Sequence, residues 1–197
     1  FPVGGTIPTQ PAMTDPDPST RDRLVAAAAG LFRQRGYNGV GIADILADAR
    51  APKGSLYHHF PAGKSDLALA AADAISDGMI EIIDAAFLSA PDYRNGATTL
   101  CYKLAKLFDI TAGTNTCPIS AMLFDGLEND AFRAHADQIF TDWIACIAAH
   151  ARTLGHDPGA ATADAELLLT GISGSWTLAR ARRNADVLRA LPGRVFR

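Results

Sequence analysis

An all-α fold, with an N-terminal three-helix helix-turn-helix unit and a larger helical body, follows from three observations on the 197-residue chain. Apolar residues recur at spacings of three and four through most windows, and hardly any window alternates as a strand does. Breaks carrying Pro, Gly or Asn divide these windows into segments of helical length. The segments are short before Pro61 and mostly long after Gly63, so a small unit precedes a bigger one. The expected division is a disordered arm over 1–18, the helix-turn-helix unit over 19–63 and the body over 64–197.

Pro2, Pro8, Pro11, Pro16 and Pro18 make the arm too proline-rich to pack. Met13 within it is a candidate native start, with residues 1–12 a non-native addition. Ser19 or Thr20 can cap a first helix whose stripe is Leu24, Ala27, Ala28, Leu31 and Phe32, ending near Arg35 before the stop signal Gly36. Asn38, Gly39 and Gly41 make a turn, and Ile42, Ile45, Leu46 and Ala49 form a second, short helix. A tight connection at Arg50 and Ala51 leads into a third, with Pro52 in its first turn and Leu56 and Phe60 as its buried stripe. Beyond the break at Pro61–Gly63, helices are expected over 64–89, 93–111, 119–127, 130–154, 158–183 and 185–191. The head is expected to join the body through Pro61–Gly63 alone.

The net charge of −3 hides an asymmetry. Residues 20–66 hold seven Lys/Arg against four acids, a local +3, and residues 67–197 hold eleven against fifteen, a local −4. A basic head on an acidic body suits a protein that presents one end to nucleic acid. In the stretch Ala49–Phe60, Lys53, Ser55 and His58 offer donors to phosphates or base edges from the third helix's N-terminal end. His58 and His59 point about 100° apart on a helix, so they do not form a metal pair.

Neither a signal peptide at the N-terminus nor an apolar run long enough to span a bilayer is evident, and a cytoplasmic, membrane-free protein is expected. Cys101, Cys117 and Cys146 lie far apart with no C-x-x-C pair, which argues for reduced thiols rather than disulfides or structural zinc. The chain has no Gly-x-Ser-x-Gly, P-loop, dinucleotide fingerprint or Glu-x-x-His pair. No catalytic residue and no cofactor are expected.

The residues Leu31-Phe32, Gly36-Tyr37, Asp44-Ile45, the run Lys53-Gly54-Ser55-Leu56-Tyr57-His58-His59-Phe60, and Lys64 together resemble the tetracycline-repressor (TetR) family of bacterial transcriptional regulators. Phe60–Lys64, Cys117-Pro118-Ile119 and the segment from Leu167 to Arg183 are similar to its LmrA-like subgroup, repressors answering to small hydrophobic or aromatic compounds. The resemblance implies a homodimer on double-stranded operator DNA, its two reading helices entering major grooves about 34–36 Å apart. It implies DNA contacts from Lys53, Ser55, Tyr57 and His58, a phosphate contact from Lys64, and close backbone approach at Gly54. Two departures stand out. Val40 and Gly41 replace the family's usual Thr and Ser before the second helix, and Arg50-Ala51 replaces Gly-Val in the turn. Arg50, in a left-handed turn that costs about 1 kcal/mol, is expected to offset that cost by binding phosphate.

In the body, Ala and Gly predominate around a few large side chains, which leaves room for an inducer pocket. Its candidate lining is Met79, Ile83, Tyr102, Phe108, Met122, Phe124, Trp143 and Trp176, and the scarcity of charge there favours an apolar or aromatic inducer. Gly171, Gly174, Ser175 and Leu178 are candidate dimer-interface residues. Glycine weakens a helix interior, so close packing is one reading and a kink the other. An alternative function, a metal- or thiol-responsive regulator, draws on Asp142, Cys146 and His150 at i, i+4 and i+8, or on Cys117, though nothing nearby in sequence would lower the Cys117 pKa.

Overall fold

The computed structural model describes residues 18–111, 119 and 130–196. Among these, eight helices form and no strand does: α1 (Thr20–Arg35), α2 (Ile42–Asp48), α3 (Lys53–His59), α4 (Lys64–Phe87), α5 (Tyr93–Ile110), α6 (Asp130–Thr153), α7 (Ala161–Arg182) and α8 (Asp186–Val195). The fold is all-α, as the periodicity predicts. The arm up to residue 17, the expected helix over 119–127 apart from Ile119, and the side chains of Cys117, Met122 and Phe124 lie outside the described residues.

Local chemistry sets most boundaries. The Ser19 hydroxyl oxygen accepts the Asp22 amide at 3.1 Å, and Asp22 at the start with Arg33 and Arg35 at the end of α1 complement the helix dipole. The Gly36 amide closes α1 on the Phe32 carbonyl at 2.9 Å. Asp92 caps α5 by accepting the Asn95 amide at 2.8 Å.

Three limits differ from expectation. Pro52 is the residue before α3 rather than inside its first turn, with extended backbone at φ −69° and ψ 150°. The helix expected from Pro158 starts at Ala161, because Asp157 organises a turn by accepting the Ala160 amide on Oδ2 at 2.9 Å. α8 runs past Leu191 to Val195 and carries Pro192 inside it, the ring buried and only one backbone donor forgone.

α4 is the spine. It packs against α1 on the head side and against α5 and α6 in the body, while α7 lies on α6 and α8 fills the space beside α5 and α7. Ala68, Ala71 and Ala72 of α4 and Ala28 of α1 are fully buried, and such small side chains let helix axes approach closely. Across the α4–α6 seam the buried Trp143 indole N–H donates to Ser76 Oγ at 2.9 Å, so the indole's one polar group is satisfied in the core.

At the far end of α4, the ring of Phe87 lies directly on Gly96 of α5: a Cβ built on Gly96 would stand 2.1 Å from Phe87 Cδ1. Gly96→Ala should therefore destabilise the fold by about 1–3 kcal/mol through overpacking, although alanine is the better helix former. Gly30→Ala, with no heavy atom within 4 Å of the new carbon, should stabilise it by up to about 1 kcal/mol. Urea unfolding of the two variants, shifting in opposite directions from the parent, is the check.

Candidate nucleic-acid interface

The two faces of α3 separate cleanly. Leu56 and Phe60, four residues apart, are 0 % and 3 % exposed and seat the helix on the head's core. Lys53, Gly54, Tyr57 and His58 are exposed, with Ser55 and His59 at the margin. Tyr57, 47 % exposed, is therefore available on the outer face rather than spent in the core. A Cβ added at Gly54 would meet nothing within 4 Å, so no contact within the chain accounts for glycine there.

The turn before α3 has a definite architecture. Arg50 sits at φ 49°, its amide bonds the Ala47 carbonyl at 3.2 Å, and the Ala51 amide bonds the Leu46 carbonyl at 3.0 Å. This paired closure usually has glycine at the left-handed position, and Arg50 holds it with an exposed side chain. At the start of α2, Gly41 lacks a capping hydroxyl, and the Asp44 carboxylate accepts the Gly41 amide at 2.9 Å instead.

Arg23 escapes notice in the sequence except as charge, yet it ties the head together. Its Nε donates to the Ala49 carbonyl at 3.2 Å, Nη1 to the Pro18 carbonyl at 2.9 Å and Nη2 to Thr20 Oγ1 at 3.2 Å. The Arg21 guanidinium lies 5.6 Å from the centre of the Phe60 ring. Lys64 does not project freely: its ammonium stands 4.1 Å from the centre of the Tyr37 ring, and partial burial lowers its pKa.

Tyr37 also corrects the expectation that Pro61–Gly63 alone joins head to body. Its ring meets Phe32 at 5.6 Å and Phe132, at the start of α6, edge-on at 5.1 Å. The α1–α4 packing adds a third connection. The Pro61–Gly63 link is itself braced. The Asp66 carboxylate accepts the Ala62 amide at 2.7 Å, and the Gly63 amide bonds the Phe60 carbonyl at 2.8 Å. Gly63 has φ 71° with ψ −125°, a conformation costly for any residue with a Cβ.

In the body, Ile83, Phe108, Trp143 and Trp176 are buried, Met79 is half-buried, and the Phe108 and Trp176 rings meet edge-on at 5.5 Å. Tyr102 departs from the expected pocket set: it is 53 % exposed on the outer face of α5, where its hydroxyl reaches solvent. The Trp143 indole N–H is committed to Ser76, so Trp143 offers a pocket only its hydrocarbon surface.

The four interface candidates divide. A Cβ on Gly171 would meet Leu191 Cδ1 at 3.0 Å, so that glycine admits the chain's own α8, and Ser175 is buried inside the protomer. Gly174 and Leu178 face outward. They continue a line with Leu167 and Thr170, and Leu167 and Leu178 are 53 % and 45 % exposed.

Cys146 and His150 do share a face of α6, but the carboxylate that meets them is Asp84 of α4. Asp142 instead accepts the Gln138 amide at 2.8 Å. Burial pushes the Cys101 thiol up to about 12, while Cys146 is raised to about 11 by burial and by Asp84. Among the described residues no helix is long and apolar enough to cross a membrane.

Comparison with known proteins agrees with this geometry. Residues 24–71 match the family described as bacterial regulatory proteins, tetR family, and residues 95–192 match the transcriptional regulator LmrA/YxaF-like C-terminal domain. The chain is 25 % identical over 170 residues to the HTH-type transcriptional regulator LmrA of Bacillus subtilis, covering 86 % of this chain and 90 % of LmrA. It is 32 % identical over 184 residues to an HTH-type transcriptional regulator of Mycobacterium tuberculosis, covering 85 % and 88 %. Among solved structures, the TetR family regulator CifR, a cysteine mutant bound to 26 bp of double-strand operator DNA, superposes with a TM-score of 0.74 at 22 % identity, covering 92 % of this chain and 97 % of that one.

Proposed function

This chain belongs to the TetR family of bacterial transcriptional regulators, and from that premise we propose that it is a dimeric, cytoplasmic repressor released from its operator by a small hydrophobic or aromatic compound. The observation that carries DNA reading is the clean division of α3, where Lys53, Gly54, Tyr57 and His58 stand outward over an anchored Leu56 and Phe60. Lys53, Ser55, Tyr57 and His58 read or position the duplex, and Arg50 and Lys64 contact phosphate. Exposed apolar residues Leu167 and Leu178, with small Gly174 between them, support an interface on α7 with a second copy of the chain. The inducer binds in the body among Met79, Ile83, Phe108 and Trp176, whose large side chains support this reading, together with Met122 and Phe124 of the intervening segment.

Release follows from α4. The link to α3 is hydrogen-bonded at both of its ends, and Tyr37 wedges the head against Phe132 and Lys64. A ligand that favours a tilted α4 carries each head with it, and two heads that no longer match successive grooves lose the operator.

Operator recovered by selection from random duplexes allows three tests. Lys53→Ala should weaken binding by roughly tenfold or more, about 1–3 kcal/mol, with the dimer intact by gel filtration; retained affinity would remove α3 as the reading helix. Arg50→Gly should stabilise the folded protein by about 1 kcal/mol while weakening binding and flattening the salt dependence by about one unit of slope. Tyr37→Ala should bind operator but require more of any hydrophobic compound that raises the melting temperature before DNA is released. Unchanged release would show that the Tyr37 wedge does not transmit the signal.

A further inference from the structure

We propose that Asp84, Cys146 and His150 form a Zn2+ site that ties α4 to α6. Cys146 and His150 lie one turn apart on α6 and face Asp84, near the C-terminal end of α4. Asp84 Oδ1 stands 2.7 Å from His150 Nε2 and 3.4 Å from Cys146 Sγ, and the three ligand atoms all lie within 4.8 Å of one another. Tetrahedral zinc with bonds of about 2.0–2.3 Å holds its ligand atoms roughly 3.2–3.8 Å apart, so side-chain adjustments of about 1 Å suffice. The Phe87 ring stacks on the His150 imidazole at 5.3 Å and an interplanar angle of 12°, which fixes the plane of the imidazole.

The donor set suits this ion. Thiolate, carboxylate and neutral imidazole together neutralise a divalent charge, and one sulfur among N and O ligands selects a borderline-soft metal over Mg2+ or Ca2+. The Asp84 side chain is 57 % exposed, leaving a solvent-facing fourth position for water. On binding, Sγ gives up its proton to solvent as the zinc–sulfur bond forms. The Nε2 proton shared with Asp84 Oδ1 leaves Nε2 as the metal binds, and the neutral ring then carries its one proton on Nδ1.

Two other His–Asp contacts provide an internal contrast. His135 with Asp73 at 2.7 Å and His156 with Asp164 at 2.6 Å have the same pair geometry, but neither is joined by a thiol within ligand distance among the described residues. Among the described residues only the Asp84 pair has a third ligand.

The test is titration of the full-length protein, stripped with a chelator, with Co2+ and then Zn2+. One Co2+ per protomer is expected, with the thiolate-to-metal charge-transfer band and the intense visible bands of tetrahedral coordination, all displaced by Zn2+. Cys146→Ser should abolish the charge-transfer band. His150→Ala and Asp84→Asn should weaken Zn2+ binding by at least the roughly tenfold to hundredfold that loss of an outer partner costs. Asp142→Asn, four residues from Cys146 and outside the cluster, should bind as the parent does. Absence of stoichiometric binding, a charge-transfer band that survives Cys146→Ser, or dependence on Asp142 rather than Asp84 would each overturn the proposal. Circular dichroism of each variant separates loss of ligands from loss of fold.

Discussion

The close packing of α1 on α4 is the constraint on which the rest of the structure depends. The two helices carry buried small side chains, Ala27 and Ala28 on one and Ala68, Ala71 and Ala72 on the other, together with the larger buried Leu24, Phe32 and Leu67. Burying a Leu or Phe contributes about 1.5–3 kcal/mol, so the seam joins the head to α4 rather than merely resting on it. The exposed face of α3 is held in a fixed relation to the body for the same reason. α4 also reaches α5 and α6, and a displacement starting in the body has a rigid path to the exposed side chains of α3.

Rigidity at the junction is reinforced by polar detail. Gly63, in backbone geometry suited to glycine, is pinned to Phe60, and Asp66 holds Ala62, so Pro61–Gly63 behaves as a bracket and not as a hinge. Tyr37 supplies the second attachment, reading the position of α6 through Phe132 and that of α4 through Lys64. A chain of packed groups with few soft torsions transmits small rotations that a flexible linker would dissipate.

Features governed by neighbouring residues were the ones legible in the sequence. Ser19 and Gly36 mark helix ends through bonds spanning three or four positions, and the apolar face of α3 follows from two residues four apart. Arg50 in a left-handed turn follows from the resemblance alone, because Arg50 stands where the family usually has glycine. Contacts between distant segments were not. Asp84 lies 62 residues from Cys146, and the acid closer in sequence, Asp142, is occupied with Gln138. Gly171 in an apolar helix signals close approach or a kink without saying what approaches, and the neighbour is Leu191 of the same chain. Tyr102 was misplaced for a similar reason: a phenol is apolar enough to suit a core and polar enough for a surface, and periodicity does not separate the two.

The hydrogen bond from Trp143 to Ser76 gives the molecule an optical property. The chain contains two tryptophans, and the Trp143 indole is bonded across the α4–α6 seam while Trp176 packs against Phe108 between α5 and α7. Indole emission responds to the polarity around its N–H, so sliding of α4 along α6 would change the colour and intensity of Trp143 fluorescence. The regulator thus carries an intrinsic fluorophore on the α4–α6 seam, and any change at that seam can be followed in real time without a label.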